Sequence, residues 1–232
     1  MKKISNKLRV LALATVMATS AATPVAAETH YVPHIAVGGH AGVSLSKMSF
    51  SPSIPQTWHT GTTMGVSLSY TEEKLVGILA ELNFEQRGWK ESFDNAELQF
   101  SRTLNYIELP IMTHIAFGGP RMKCIINLGP EFGFMIAEST SSNFDLSDPY
   151  QDGVPATRRT EQMTAPIHSR FDYGITAGVG GEYYLTPKQS VYLEARFYYG
   201  LGNIFPSSKA DTFSASRGMS LAVTMGYNFR LK

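Results

Sequence analysis

The feature that most constrains this chain is an alternation of period two, one phase apolar and the other small or polar. Residues 34–45 set Ile35, Val37, Ala41, Val43 and Leu45 against Ala36, Gly38, His40, Gly42 and Ser44. Successive side chains of a strand point to opposite faces, so such a run reads as a strand between two different environments. Residues 64–70 repeat the pattern with Met64, Val66, Leu68 and Tyr70, and residues 76–84 with Val76, Ile78, Ala80, Leu82 and Phe84. Further alternating segments follow at 100–117, 123–136, 171–185, 191–199 and 219–231. Eight strands is the most economical count. Pro110 falls inside the fourth, where its missing N–H predicts a bulge or local kink.

The connections alternate in length. Residues 71–74, 118–121 and 186–190 are tight turns, whereas 46–57, 88–97, 139–169 and 205–214 are longer and rich in Ser, Pro, Asp and Asn. Barrels of the outer membrane show this asymmetry, with short periplasmic turns and longer extracellular loops. With the N-terminus periplasmic, every short turn falls on one side and every long loop on the other.

Which phase faces the barrel interior separates two architectures. A soluble lipocalin-like barrel turns its apolar face inward around a small apolar ligand. A membrane barrel turns it outward to lipid, where a mid-bilayer Lys or Arg costs roughly 2–4 kcal/mol. Here the apolar phase carries no charge through the centre of any strand. Glu81, Glu85, Glu108, Glu131, Asp172, Glu182 and Glu194, with Arg102, Lys123, Arg196 and Arg230, all lie in the other phase. That phase is otherwise crowded with Gly, Ser, Ala and Thr, which suit a narrow lumen filled by side chains. Aromatics gather at the ends of the apolar phase: Tyr70, Phe117, Tyr183, Tyr227 and Phe229 at one rim, and Phe84, Phe134, Tyr173, Phe197 and Tyr199 near the other. Two such girdles mark the membrane–water interfaces. The expectation is an all-β fold, an eight-stranded antiparallel up-and-down transmembrane β-barrel in the outer membrane, with membrane lipid as its first partner. The soluble lipocalin-like barrel is the alternative.

The first 27 residues read as a cleaved secretory signal peptide. Lys2, Lys3, Lys7 and Arg9 precede a short apolar run at 10–18, and Val25-Ala26-Ala27 supplies small residues for cleavage. Residues 28–33 then form a short tail and 34–232 the barrel. Without the peptide the chain carries 16 basic and 19 acidic residues, so nothing in its charge points to nucleic acid.

Several short motifs resemble the PorT-type family of outer-membrane β-barrels. Asn105-Tyr106-Ile107-Glu108-Leu109-Pro110 resembles its "YLEIP" element, and Phe84-Glu85-Gln86-Arg87-Gly88 the strand end that precedes it. Leu128-Gly129-Pro130, Gly180-Gly181-Glu182-Tyr183 and the run from Glu194 to Leu201 are similar to later elements. The resemblance spans nearly all of the chain after the signal peptide. It implies an eight-stranded outer-membrane barrel of a Gram-negative cell, from a family whose name-giving branch is associated with secretion across that membrane.

The inward charges are the main constellation. Glu81, Glu85, Arg102, Tyr106, Glu108, Lys123, Glu131, Glu182, Glu194 and Arg196 are expected to form one lumen network, because an unpaired buried charge costs several kcal/mol. Glu108 beside Tyr106 is its expected centre, paired with Arg196. A plug is the favoured reading over a narrow ion path. His59, His168, Ser169 and Asp172 map near the outer rim, but no nucleophile motif surrounds them, so no enzyme is expected. His30 and His34 are four apart, which on a strand or coil gives no shared metal-ligand face. Cys124, the single cysteine, falls on the lipid side as a small hydrophobe. No metal or cofactor is expected. The long loop 139–169, with Asp145, Asp148, Asp152, Arg158, Arg159 and Glu161, is either a surface for a protein partner or simply a mobile connection.

Overall fold

Each alternating segment forms a strand, and half of them run well past the length the alternation alone marks out. The computed structural model describes residues 32–95, 97–209 and 211–231; the signal peptide and His30 lie outside them. The strands are β1 (His34–Ser51), β2 (Gln56–Thr57), β3 (His59–Thr71), β4 (Val76–Glu91), β5 (Phe100–Gly118), β6 (Met122–Ser142), β7 (Phe171–Thr186), β8 (Gln189–Gly200) and β9 (Ala215–Arg230), with one helical turn at Glu161–Thr164. Around the ring the eight long strands run β1-β3-β4-β5-β6-β7-β8-β9, and β9 pairs back onto β1. All pairings are antiparallel, from His34 opposite Thr71 between β1 and β3 to Ala36 opposite Arg230 between β1 and β9. Closure removes the free edges that would otherwise recruit further strands. The short β2 lies beside the end of β4, Gln56 opposite Glu91.

The faces divide as the alternation requires. His40, Ser44, Thr63, Glu81, Asn127, Thr176, Glu194 and Thr224 are buried in the lumen. Val66, Leu82, Val179, Leu193 and Met225 stand out from the wall, each more than half exposed. The same facing holds for both sets of rim aromatics: Tyr70, Phe117 and Tyr183 point outward at the short-turn end, and Phe134, Tyr173 and Phe197 at the other. A belt of apolar side chains around the whole wall is stable in lipid and not in water. This overturns the lipocalin-like alternative, because between the girdles it is the polar phase that is turned inward and the apolar phase that is turned out.

The expected distortion at Pro110 is displaced. On both of its neighbours the register is the same before and after Pro110, although the ladder opens there because proline has no N–H to give. The irregularity comes four residues earlier in β5, where Asn105 faces Ala137 but Tyr106 faces Met135. Ile136 is therefore the extra residue of a β-bulge in β6. Its effect is to exchange the two phases of β6, so that Glu138 beyond it faces inward where Met135 did before it.

Membrane strands of a barrel need about 9–11 residues to cross, whereas β6 has 21 and β5 has 19. The excess lies at the long-loop end, and there the interior changes character. Met48, Phe50, Trp89, Phe100, Leu104 and Met135 from the strands pack with Phe144, Val154, Met163, Ile204, Phe205 and Phe213 from the loops. Trp89 is wholly buried and meets Phe50 edge-on at 5.5 Å. The end of β4 leans across the mouth to make this possible: the Ser44 hydroxyl donates to Gln86 O, and Gly88 N–H donates to the Ser46 hydroxyl. Gly88 adopts a positive φ, and a Cβ there would collide with the backbone oxygen of Arg102. The result is an apolar cap seated on a polar barrel.

Candidate functional site

Two ion-pair centres fill the lumen between the girdles. The first is built on Arg87, which the odd phase of β4 carries inward behind Glu81, Asn83 and Glu85. Its Nη2 lies 2.5 Å from Glu108 and also meets Glu131; its Nη1 is 3.4 Å from Asp172 and its Nε 3.5 Å from Glu85. Four strands, β4 to β7, each contribute one carboxylate. The guanidinium plane lies against two rings, 3.7 Å from the centre of Tyr198 and 5.4 Å from that of Tyr106. The Tyr198 hydroxyl donates to Asp172 at 2.9 Å. Arginine suits this position because its planar fork offers five donors and is held charged by its high basicity.

The second centre is Arg196 on β8. Its Nη1 and Nη2 grip Glu81 at 2.5 and 3.0 Å, and Nη2 also reaches Glu194 at 2.8 Å. Asn83 donates to Glu81, Asn127 donates to Glu194, and His114 joins Asn127 at 2.7 Å. Between the centres remains a cavity of about 10 Å³ lined by His40, Asn83, Glu85, Glu108 and Thr224 among others. That is space for about one water.

The structure thus divides the expected network. Glu108 pairs with Arg87, not with Arg196, and Arg196 takes Glu81 and Glu194. Glu85, Glu131 and Tyr106 gather at the Arg87 centre. Three expected members lie at other heights of the barrel. Glu182 accepts from Ser190 at 2.6 Å and Asn228 at 3.2 Å, and Lys123 sits against Tyr184, both towards the short-turn end. Arg102 belongs to the cap. Arg87 lies beyond the alternating run 76–84 and was not among the expected lumen residues. Continuing its phase through Glu85 would have placed Arg87 inside.

The cap is held by two arginines. Arg102 donates to Ala165 O at 2.7 Å and Gln162 O at 3.3 Å while pairing with Glu138 at 2.7 Å. Arg158 donates to Ser92 O at 2.6 Å and Pro55 O at 3.2 Å, and pairs with Glu91 at 3.0 Å. Gln162, fully buried, donates to the other oxygen of Glu91 at 2.7 Å. The loop 139–169 is therefore tied to two other loops and folded over the mouth. Asp145 turns its own part of that loop by accepting the Ser147 N–H and hydroxyl, which holds its carboxyl below the usual range.

The rim residues considered for catalysis do not converge. His59 bonds Thr103, Asp172 is committed to Arg87 and Tyr198, and the Ser169 hydroxyl donates to Phe171 O. His168 and Ser169 instead line an open cleft with Asn203, Ser208 and Asp211. Among the described residues no group of three or more His, Cys, Asp or Glu is placed to hold a metal ion.

A closed antiparallel ring with a charged interior, an apolar exterior and aromatic rims defines the outer-membrane class of β-barrel. The family described as outer membrane protein beta-barrel domain matches residues 27–206, and the chain belongs to it. Among solved structures, the outer membrane protein OprG from Pseudomonas aeruginosa superposes with a TM-score of 0.52 at 11% identity, covering 86% of this chain and 95% of that one. Neisserial surface protein A gives 0.42 at 14% identity with 86% and 99% covered. Ail, the attachment invasion locus protein of Yersinia pestis, gives 0.41 at 10% with 84% and 99% covered. No curated protein matches the sequence. The protein resides in the outer membrane, and its long-loop end is the extracellular one by the length rule for such barrels.

Proposed function

We propose that this protein is a closed, non-catalytic outer-membrane scaffold that offers its extracellular cap to a protein partner. The observation that carries this reading is the double closure: Arg87 and Arg196 fill the lumen, and Arg102 and Arg158 fasten a folded cap above it. Binding surfaces are commonly loops held on a rigid frame, and here the frame extends into the loops themselves. Trp58 and Tyr150 stand out from the cap, 47% and 46% exposed, as aromatic anchors of the kind that dominate protein interfaces. The PorT-like order of motifs from Phe84 to Leu201 supports a finer version, in which the partner belongs to envelope or secretion machinery.

The reading is tested by photo-crosslinking residues placed at Trp58 and Tyr150 in whole cells, with Leu82 on the lipid belt as the control, alongside conductance in planar bilayers. Discrete protein adducts from the two cap positions and a silent bilayer are expected. Steady ion conductance by the intact protein, or no adduct at either cap position, overturns it.

A further inference from the structure

Most glycines in the strands have no room for a side chain. A Cβ on Gly178 would strike the Glu194 carboxylate, and one on Gly180 the backbone oxygen of Leu193. Gly181 is different. It faces the membrane, and a Cβ there would meet nothing closer than Met122 Cε at 3.9 Å and Lys123 O at 4.0 Å. Its backbone is ordinary strand, so neither conformation nor crowding requires glycine at this place.

What the missing side chain leaves is a groove of about 420 Å³ in the lipid-facing wall, lined by Met122, Val179, Tyr183, Leu193, Ala195 and Val223. Glu182 and Glu194 border it through their backbones, their side chains being turned to the lumen. The groove is continuous with the apolar belt and ends at Tyr183 of the short-turn girdle, within the periplasmic half of the wall. The two turns that join the strands of this wall at the short-turn end carry two exposed cations. Arg121 precedes Met122 and is fixed beside the foot of β7 by the Tyr184 N–H donating to its carbonyl at 2.9 Å; Lys188 sits in the β7–β8 turn. Among the described residues neither makes an ion pair. Of the acids at this end, Glu182 is buried and taken up by Ser190 and Asn228, and the exposed Glu72 and Glu73 belong to the β3–β4 turn.

We propose that the groove over Gly181 seats an acyl chain of an anionic phospholipid of the periplasmic leaflet, with its phosphate between Arg121 and Lys188. The apolar trough accounts for the chain, and the two cations of the adjoining turns, neither in an ion pair, account for the charge of the headgroup. Basic pockets at a membrane surface select anionic lipids in this way.

The protein carries its own reporter. Cys124, its single cysteine, is exposed and lies directly opposite Gly181 in the β6–β7 ladder. A small fluorophore on Cys124 in mixed vesicles would be quenched by spin-labelled phosphatidylglycerol about threefold more efficiently than by spin-labelled phosphatidylcholine at equal mole fraction. That preference should vanish in Arg121→Ala/Lys188→Ala and fall towards unity in Gly181→Leu. Ala195→Leu, which fills the same groove from β8, serves as a second filling variant, and heat-modifiable gel mobility confirms that each variant is folded. Equal quenching by the two lipids in the intact protein overturns the proposal. So does a preference that both filling variants leave intact, since it would then reflect general attraction to a basic rim.

Discussion

Arg87 and Glu108, from neighbouring strands, meet at 2.5 Å between the two aromatic girdles, where neither is more than 3% exposed. The pair is the inner contact of a five-residue centre with one cation and four carboxylates. Removing the cation leaves those carboxylates facing one another out of reach of bulk water. Arg87→Ala is expected to cost about 3–5 kcal/mol, read as a lowered urea midpoint in micelles and a lower temperature for the gel-mobility shift. Arg87→Lys should recover less than half, because a single ammonium cannot span four acceptors and stack on Tyr198. Full recovery by lysine would mean that charge alone matters.

The Arg196 centre makes a different prediction, since its partners are fewer. Arg196→Met and Glu81→Leu should each destabilise, while the double variant should lose less than the two losses added together. A coupling of about 2 kcal/mol is expected from groups in direct contact. Independent, additive losses would show that the two groups do not act as a pair.

Arg158 holds three loops without touching the membrane part of the barrel. Arg158→Ala should therefore expose the loop 139–169 to limited proteolysis and speed amide exchange at Gln162 and Met163. The temperature of the gel-mobility shift should stay within a few degrees of the parent. Loss of the cap without loss of the barrel is the signature of locally stored stability.

The facing of the wall is tested by charge. Leu82→Arg and Val179→Arg, both in the belt, should each cost roughly 2–4 kcal/mol and reduce the amount of protein assembled in the membrane. Thr62→Arg, on the same outward face but level with Gln86 beyond the girdle, should be tolerated. Equal tolerance at all three positions would contradict the assigned belt.

The ring, its facing and its rims were legible because each rests on local alternation. A strand half in lipid must alternate, and Met64 to Tyr70 or Tyr173 to Val179 need no distant information to reveal it. The pairing inside the lumen was not legible. Which arginine serves Glu108 depends on how far each strand is staggered, and that is a property of the closed ring. The cap was hidden for a related reason: Val154 and Met163 have no periodicity, and their burial depends on Trp89 and Phe205, distant in sequence. The bulge at Ile136 shows a further limit. Parity read from Phe132 and Phe134 puts Glu138 on the wrong face unless the extra residue is known.

Glu81 and Arg196 stand on β4 and β8, which are four strands apart in either direction around the ring. Their contact is thus a spoke across the diameter of a hoop. A hoop without a spoke can flatten into an ellipse at little cost, since hydrogen bonds between neighbouring strands resist sliding far better than they resist bending. With the spoke in place, flattening along that diameter must compress the ion pair and flattening across it must pull the pair apart. The cross-section is thereby held round by one contact between strands that share no ladder.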